Sequence, residues 1–497
     1  MSDERDLKVL LRSRIPVIVI ESFEESAALG LLEKTANLAG TALFVWNVVD
    51  GLRRRGRDHV IPETRDPQGV LKHIDATPQN GLYALADFHP FLTDPLNLRL
   101  IKHIALEHER SGKTLVLVAH RIELPPDLAR ISARVDLSVP DLSGIRTIVR
   151  EEFEAYAARE DESVKGQQEA LEMLVQQLVG MSAEDARRLV RQAIHDDGAI
   201  TLGDLGRVLR QKMDALGGAA ALTLEVDTAK FDEVAGMKAL KRWLDQRRAA
   251  FVNAIDGLDP PKGLLLAGVQ GAGKSLAARA VAGAWRVPLL RLDFGALYSK
   301  WSGETERNLR DALKHAERMA PCVLWIDEIE KGVSTESGES DGGVSRRILG
   351  SLLTWMAERE GRVFVVATAN AIDALPPELM RKGRIDEIFF VDLPGPEARR
   401  DAFRIHLARR RQDPATFALD RLAEAAQGFS GSEIEQAVVS ALYASHAAGS
   451  VLDDRHVLDE LARTRPLSVV ASERVEALRH WAAGRAVMAD DAEPPSA

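Results

Sequence analysis

A chain of 497 residues is too long for one hydrophobic core and implies roughly two to four domains. Hydrophobic residues at 45% and charged residues at 28% are ordinary for a globular protein, and a net charge of −10 argues against a general grip on nucleic-acid backbone. The single cysteine, Cys322, excludes an intrachain disulfide and a cysteine-based zinc site.

No apolar run approaches a membrane span, and the polar start Met1–Asp6 is no signal peptide, so a reducing cytoplasm is the expected compartment. Ile15–Ile20 is a β-branched run of the kind buried on both faces of a sheet, and Ser26–Ala39 then has helical spacing. Strand-like runs at Ala42–Val49, Leu82–Ala86 and Thr114–Ala119 alternate with helix-like segments at Pro67–Asp75 and Asn97–Arg110. That alternation predicts a parallel α/β sheet. Gly112-Lys113-Thr114 ends like a phosphate loop, but Glu107 stands where its first glycine should be and a strand follows instead of a helix. Helical segments run from Ile145 to about Met213, and Gly217-Gly218 opens a linker.

The stretch Lys262 to Ser275 carries the strongest signal. An apolar strand, Leu264–Ala267, enters a glycine-rich turn that opens an Ala-rich helix. Gly268, Gly273, Lys274 and Ser275 meet the pattern G-x-x-x-x-G-K-[ST] in the strand–loop–helix context it requires. Glycines let consecutive backbone N–H groups close around a phosphate, and the helix N-terminus adds partial positive charge. The expected nucleotide contacts are Gly268, Val269, Gln270, Gly271, Ala272, Gly273, Lys274, Ser275 and Leu276. Lys274 would reach the β- and γ-phosphates, and the Ser275 hydroxyl would ligate Mg²⁺.

Cys322–Ile326 is an apolar run ending in Asp327-Glu328, about 50 residues after the phosphate loop. Asp327 at the strand tip can hold the metal shell, and Glu328 can orient and deprotonate an attacking water. A second buried run ends at Asn370, whose amide can hydrogen-bond that water or the γ-phosphate. Arg381 and Arg384 supply two planar, permanently charged forks suited to developing phosphoryl charge.

The chain also repeats itself. The segment from Thr114 to Leu137 resembles that from Val363 to Glu387, each with an apolar strand, Leu-Pro-Pro-acidic-Leu and two arginines (Arg130 and Arg134; Arg381 and Arg384). Gly180-Met-Ser-Ala-Glu resembles Gly428-Phe-Ser-Gly-Ser at a similar offset. The first copy is stripped of chemistry. Glu21-Ser22-Phe23-Glu24-Glu25 replaces the phosphate loop, Asp87-Phe88-His89 replaces the acid pair, and His120 or Arg121 replaces the asparagine. Three carboxylates would repel a triphosphate.

Together, Phe231-Asp-Glu-Val-Ala-Gly236, the phosphate loop, Trp325-Ile-Asp-Glu328, Ala367-Thr-Ala-Asn370, Leu379-Met-Arg-Lys-Gly-Arg-Ile-Asp386 and Gly428-Phe-Ser-Gly-Ser-Glu433 resemble the AAA branch of the AAA+ ATPases. The whole layout is similar to the AAA ATPases encoded as conserved open reading frames in plastid and cyanobacterial genomes and in other bacteria. The resemblance implies an α/β fold of two tandem P-loop-type modules, each with a helical lid, the first degenerate. The expected domains are 1–142 (degenerate α/β), 143–216 (lid-like), 217–230 (linker), 231–395 (active core), 396–488 (C-terminal lid) and 489–497 (disordered acidic tail).

By the same resemblance, Val234 and Ala235 contact adenine, Gly431 and Ser432 line the lid side, Asn370 senses the γ-phosphate, and Arg381 and Arg384 act across a subunit interface. Trp301 falls where AAA unfoldases project a pore-loop aromatic, and Ser334–Gly343 resembles their second pore loop. The expected function is Mg-dependent ATP hydrolysis that drives remodelling or threading of a protein substrate by a homohexameric ring. The alternatives are an ATP-controlled assembly switch or scaffold and a nucleic-acid motor. An acidic balance and the absence of a DNA-binding motif weigh against the motor.

Overall fold

The computed structural model describes residues 2–22, 24–57, 59–137, 139–160, 165–194, 198–216, 221–253, 255, 257–297, 304–333, 344–381 and 383–491. The start of the expected linker, Trp301 with its neighbours, the 334–343 segment and residues 492–497 lie outside them. The chain forms two compact units, Met1–Pro140 with Ser182–Glu184, and Asp141–Met181 with Asp185–Ala497.

The first unit is built on six strands: β1 (Val17–Glu21), β2 (Leu43–Asn47), β3 (Gly51–Arg54), β4 (Gly81–Ala86), β5 (Lys113–Ala119) and β6 (Ser132–Asp136). Their order is β3-β2-β4-β5-β1-β6, parallel except for the edge strand β3. The central strands are continuous apolar runs because both faces are covered. Leu7, Ala28, Leu29 and Leu32 from the helices Ser2–Arg12 and Glu25–Ala39 pack one face, while Val70, Ile74, Ile101 and Ile104 from Pro67–Ala76 and Pro95–Leu106 pack the other. The rejected Gly112-Lys113-Thr114 triplet starts β5.

The second unit begins with the helices Leu142–Glu160, Gln168–Leu178, Ala183–Ile194 and Leu202–Ala215, with a short parallel pair, β7 (Lys165–Gly166) and β8 (Ala199–Ile200). Lys212 is fully buried there and donates to the carbonyls of Gln177 and Val179 at 2.8 and 2.6 Å, closing the end of the helix Gln168–Leu178. A seven-stranded sheet follows. It comprises β9 (Leu222–Glu225), β10 (Gly263–Gly268), β11 (Leu289–Leu292), β12 (Cys322–Ile326), β13 (Val363–Ala369), β14 (Glu387–Val391) and β15 (Val487–Met488). The order is β15-β14-β10-β13-β12-β11-β9, with only β9 antiparallel. Helices Pro396–Arg409, Leu419–Ala425, Gly431–Ala447 and Asp454–Arg463 form a separate core around Phe403, Leu422, Ile434 and Val438.

Without β3 in the first sheet and without β9 and β15 in the second, the sheets share one topology, β2-β4-β5-β1-β6 and β11-β12-β13-β10-β14. Register then sharpens the repeat. Glu21 pairs with Ala119 as Ala267 pairs with Ala369, so His120 holds the position of Asn370. Leu85 pairs with Leu117 as Ile326 pairs with Ala367. Asp87 therefore falls at the place of Glu328, and both adopt a left-handed backbone, with φ of 51° and 49°. The likeness of Arg134 to Arg384 is one of sequence only, because Arg134 lies inside β6 whereas Arg384 precedes β14.

The end of the second unit departs from expectation. Val487–Met488, placed by sequence in the helical lid, pair with β14 as an edge strand. Residues 489–491, placed in a disordered tail, are tied down: Ala489 N–H donates to Phe390 O, Asp490 accepts from Lys238 N–H at 3.1 Å, and Asp491 pairs with Arg242. An acidic pair reads as tail in sequence because its basic partners lie about 250 positions upstream.

Candidate active site

Six consecutive buried residues of β10 deliver the chain to Gly268, whose φ is 142°. A Cβ there would lie 2.1 Å from Val391 O, so glycine is required by both conformation and space. Gly271, at φ 74°, sits under the lid; its carbonyl accepts from Ser432 N–H at 3.0 Å. The helix Lys274–Trp285 then starts at Gly273 without any side-chain cap, leaving its first N–H groups to face the loop. Lys274, only 6% exposed, donates to Gly268 O at 2.9 Å and Val269 O at 2.8 Å.

The acids approach from β12. Ser275 Oγ donates to Asp327 Oδ1 at 3.0 Å, and Thr368 Oγ1 donates to the same oxygen at 2.6 Å while accepting from Glu328 N–H at 2.9 Å. One threonine hydroxyl thus ties the two acids to β13. Asn370 Nδ2 donates to Glu328 Oε1 at 2.9 Å, and Lys331 pairs with its other oxygen. Glu330, buried, accepts from the N–H groups of Asn370 and Ala371 at 2.9 and 3.3 Å, and its buried Oε2 has no hydrogen-bond partner among the described residues.

These groups border a cavity of about 360 Å³, within the range of small-molecule sites. Gln270, Gly271, Gly273, Lys274, Ser275, Leu276, Asp327, Glu328, Asn370, Gly431 and Ser432, all anticipated, line it. Val234 and Ala235 do not. Val234 is buried in the core beneath the phosphate-loop helix, and Ala235 packs against the lid core. Arg381 is exposed, Arg384 donates to Glu378 O, and neither lines this cavity.

Sequence reasoning missed Thr368, Glu330, His406, Arg409 and Glu435. The first two each sit two positions from a flagged residue, a usable signal. His406, Arg409 and Glu435 reach the cavity only through docking of the lid. Burial holds the His406 pKa below its ordinary value, against the pull of Glu435 3.6 Å away.

A nucleotide and its metal fit these residues. An uncapped helix N-terminus and a lysine suit phosphate, and a serine hydroxyl beside a carboxylate offers the hard oxygen donors that Mg²⁺ prefers. Burial pushes the Lys274 pKa from 10.5 down to about 8, opposed by Glu330, Asp327 and Glu328, while Arg474 adds to the lowering. The folded value lies below the unfolded one, so this group's contribution to free-protein stability rises as pH climbs from about 8 towards 10.5. For binding the sign is opposite, because the cation that phosphate needs is lost over the same window. ADP affinity should be flat from about pH 7, where the terminal phosphate is ionised, to about pH 8 and weaken by up to about tenfold per unit above it. Calorimetry at constant ionic strength checks this, and an affinity unchanged through that window would contradict it.

A parallel sheet with a glycine-rich loop, lysine and acid pair at its carboxyl edge defines a P-loop nucleotide-hydrolysing module. Comparison with known proteins agrees. The family description "ATPase family associated with various cellular activities (AAA)" matches residues 264–393. The N-terminal and second domains of SpoVK-like AAA ATPases match residues 3–137 and 143–218. The uncharacterized AAA domain-containing protein ycf46 of Guillardia theta is 33% identical over 490 residues, covering 97% of this chain and 95% of that protein. Its namesake from Pyropia yezoensis is 32% identical over 98% of this chain and 99% of its own. The cell division cycle protein 48 homolog of Archaeoglobus fulgidus is 32% identical over 219 residues, 43% of this chain and 30% of that protein. The chain belongs to the AAA ATPase family and is a nucleotide-binding, ATP-hydrolysing enzyme. Among the described residues, no helix is long and apolar enough to cross a membrane.

Proposed function

We propose that this ATPase works as a homo-oligomeric ring, of six subunits by family resemblance, that remodels or threads a protein substrate. The observation that carries the reading is the position of Arg381 and Arg384. The cavity holds a lysine, an acid pair and an asparagine but no arginine from this loop, and both guanidiniums lie off its wall. Supplied by a neighbouring subunit, they would complete the site.

In this reading Lys274 exchanges its two carbonyl partners for β- and γ-phosphate oxygens. Ser275 and Asp327 hold Mg²⁺, which when bound screens phosphate charge. Glu328 takes a proton from water, with its carboxylate aimed by Asn370. Lys331 must release Glu328 for that step, and its pKa is raised chiefly by that hydrogen bond. The backbone of Gly431 and Ser432 closes the lid side, and Val234 and Ala235 approach adenine only on lid movement. The degenerate N-terminal unit serves as a structural platform. In its place for a phosphate loop, the Glu21 carboxylate is occupied by Arg134 at 2.6 Å and Ile122 N–H at 2.8 Å.

Particle imaging of Glu328→Gln protein with ATP and Mg²⁺ tests the assembly. Rings with axial density near Trp301 are expected. Monomers or dimers would overturn the ring and favour a nucleotide switch.

A further inference from the structure

The helix Ser472–Ala482 follows the lid in sequence but packs on the ATPase sheet. Val475, Leu478 and Ala482 join the core formed by Val363, Val365 and Ala369 of β13. Arg479 fixes it further through a two-pronged pair with Asp392, at 2.8 and 3.1 Å. Asp392 directly follows Val391, whose carbonyl accepts from Val269 N–H of the phosphate loop. Five residues before Arg479, at the start of the helix, Arg474 donates from Nη2 to Asn370 O at 3.4 Å.

The Asn370 peptide is therefore gripped from two directions. Glu330 holds its N–H and that of Ala371 from the acid side, and Arg474 reaches its carbonyl from the helix. The same segment also touches the lid. Leu467 N–H donates to Glu433 Oε1 at 2.9 Å, and Glu433 is the residue that closes the capping box of the lid helix Gly431–Ala447 with Ser430. Lid, Leu467, Arg474 and Asn370 form one connected path of hydrogen bonds and chain, and its last member aims the carboxylate of Glu328.

We propose that Arg474 is a positioning residue of the ATP site, a cation that holds the Asn370 carbonyl and links lid closure to the aim of Glu328. The inference rests on the ATP-site reading above. Its chemistry is specific. A carbonyl that accepts from a charged guanidinium is held more firmly than one that accepts from a neutral donor. Loss of Arg474 should leave ADP binding intact, because the groups expected to hold the diphosphate belong to the phosphate loop. Turnover should fall.

The test uses the full chain with Arg474→Lys, Arg474→Gln and Arg474→Ala, reading kcat and KM for ATP, ADP affinity and the thermal midpoint. Arg474→Gln keeps a neutral donor, whereas Arg474→Lys keeps the charge. The expected result is a kcat reduced by about tenfold in the Gln and Ala variants, ADP affinity and thermal midpoint unchanged, and turnover largely recovered in the Lys variant. Turnover within about twofold of the parent in all three would overturn the proposal. A joint fall of ADP affinity and thermal midpoint would also overturn it, because it would show that the side chain merely supports the fold. Failure of the underlying reading looks different: the parent protein would turn over ATP no faster than its Glu328→Gln variant.

Discussion

Glu328→Gln should bind ATP with near-parental affinity and turn it over at least about a hundredfold more slowly. The amide keeps the size of the carboxylate and can still accept from Asn370 Nδ2, so the geometry around β13 is preserved. It cannot take a proton. The substitution also breaks the pair with Lys331, an exposed contact worth little in stability. Phosphate release under saturating ATP measures the loss, and a fluorescent nucleotide measures binding. A parental rate would remove Glu328 from the role of base and direct attention to Glu330, the buried carboxylate two residues further on.

Arg384→Ala should cost about a thousandfold in hydrolysis with little change in ATP affinity. The loop that carries Arg384 is fastened to the strand that delivers its own subunit's phosphate loop. Asp386 accepts from the N–H groups of Lys262 and Gly263 at 2.6 and 2.9 Å, and Lys262 Nζ donates to Gly383 O at 2.9 Å. A shift of β10 is thus passed to the arginine. If the guanidinium serves a neighbour, mixing Arg384→Ala with Lys274→Ala subunits restores hydrolysis, since some interfaces pair an intact loop with an intact arginine. No restoration at any mixing ratio would count against action across an interface.

Much of the site was legible in sequence because its chemistry demands fixed residue types at fixed spacing. Gly268, Gly273, Lys274 and Ser275 must be contiguous in the loop, and Asp327 and Asn370 must end buried strands. The central strands were legible as unbroken apolar runs. The edges were not. Gly51–Arg54, Leu222–Glu225 and Val487–Met488 are short and have only one neighbour in the sheet, so nothing in their composition marks them. The vestigial site misled for a related reason. Sequence aligned Asp87-Phe88-His89 loosely with an acid pair, whereas strand register puts Asp87 at the second acid and Ala86 at the first. Residues such as Glu435 and Arg474 take their meaning from tertiary docking, which carries no local signature.

The strand β15 and the acids beside it impose an order on how the protein is made. Asp490 receives the first N–H of the helix Lys238–Asn253, and Ala489 accepts from Leu240 N–H, across some 250 residues of intervening chain. Until synthesis has passed residue 491, the starting helix of the ATPase core lacks these partners and the flank of β14 is unpaired. The first unit has every strand of its sheet within its first 136 residues and can be finished by then. Nascent chains stalled short of β15 should present a folded leading unit tethered to an ATPase core that is still open.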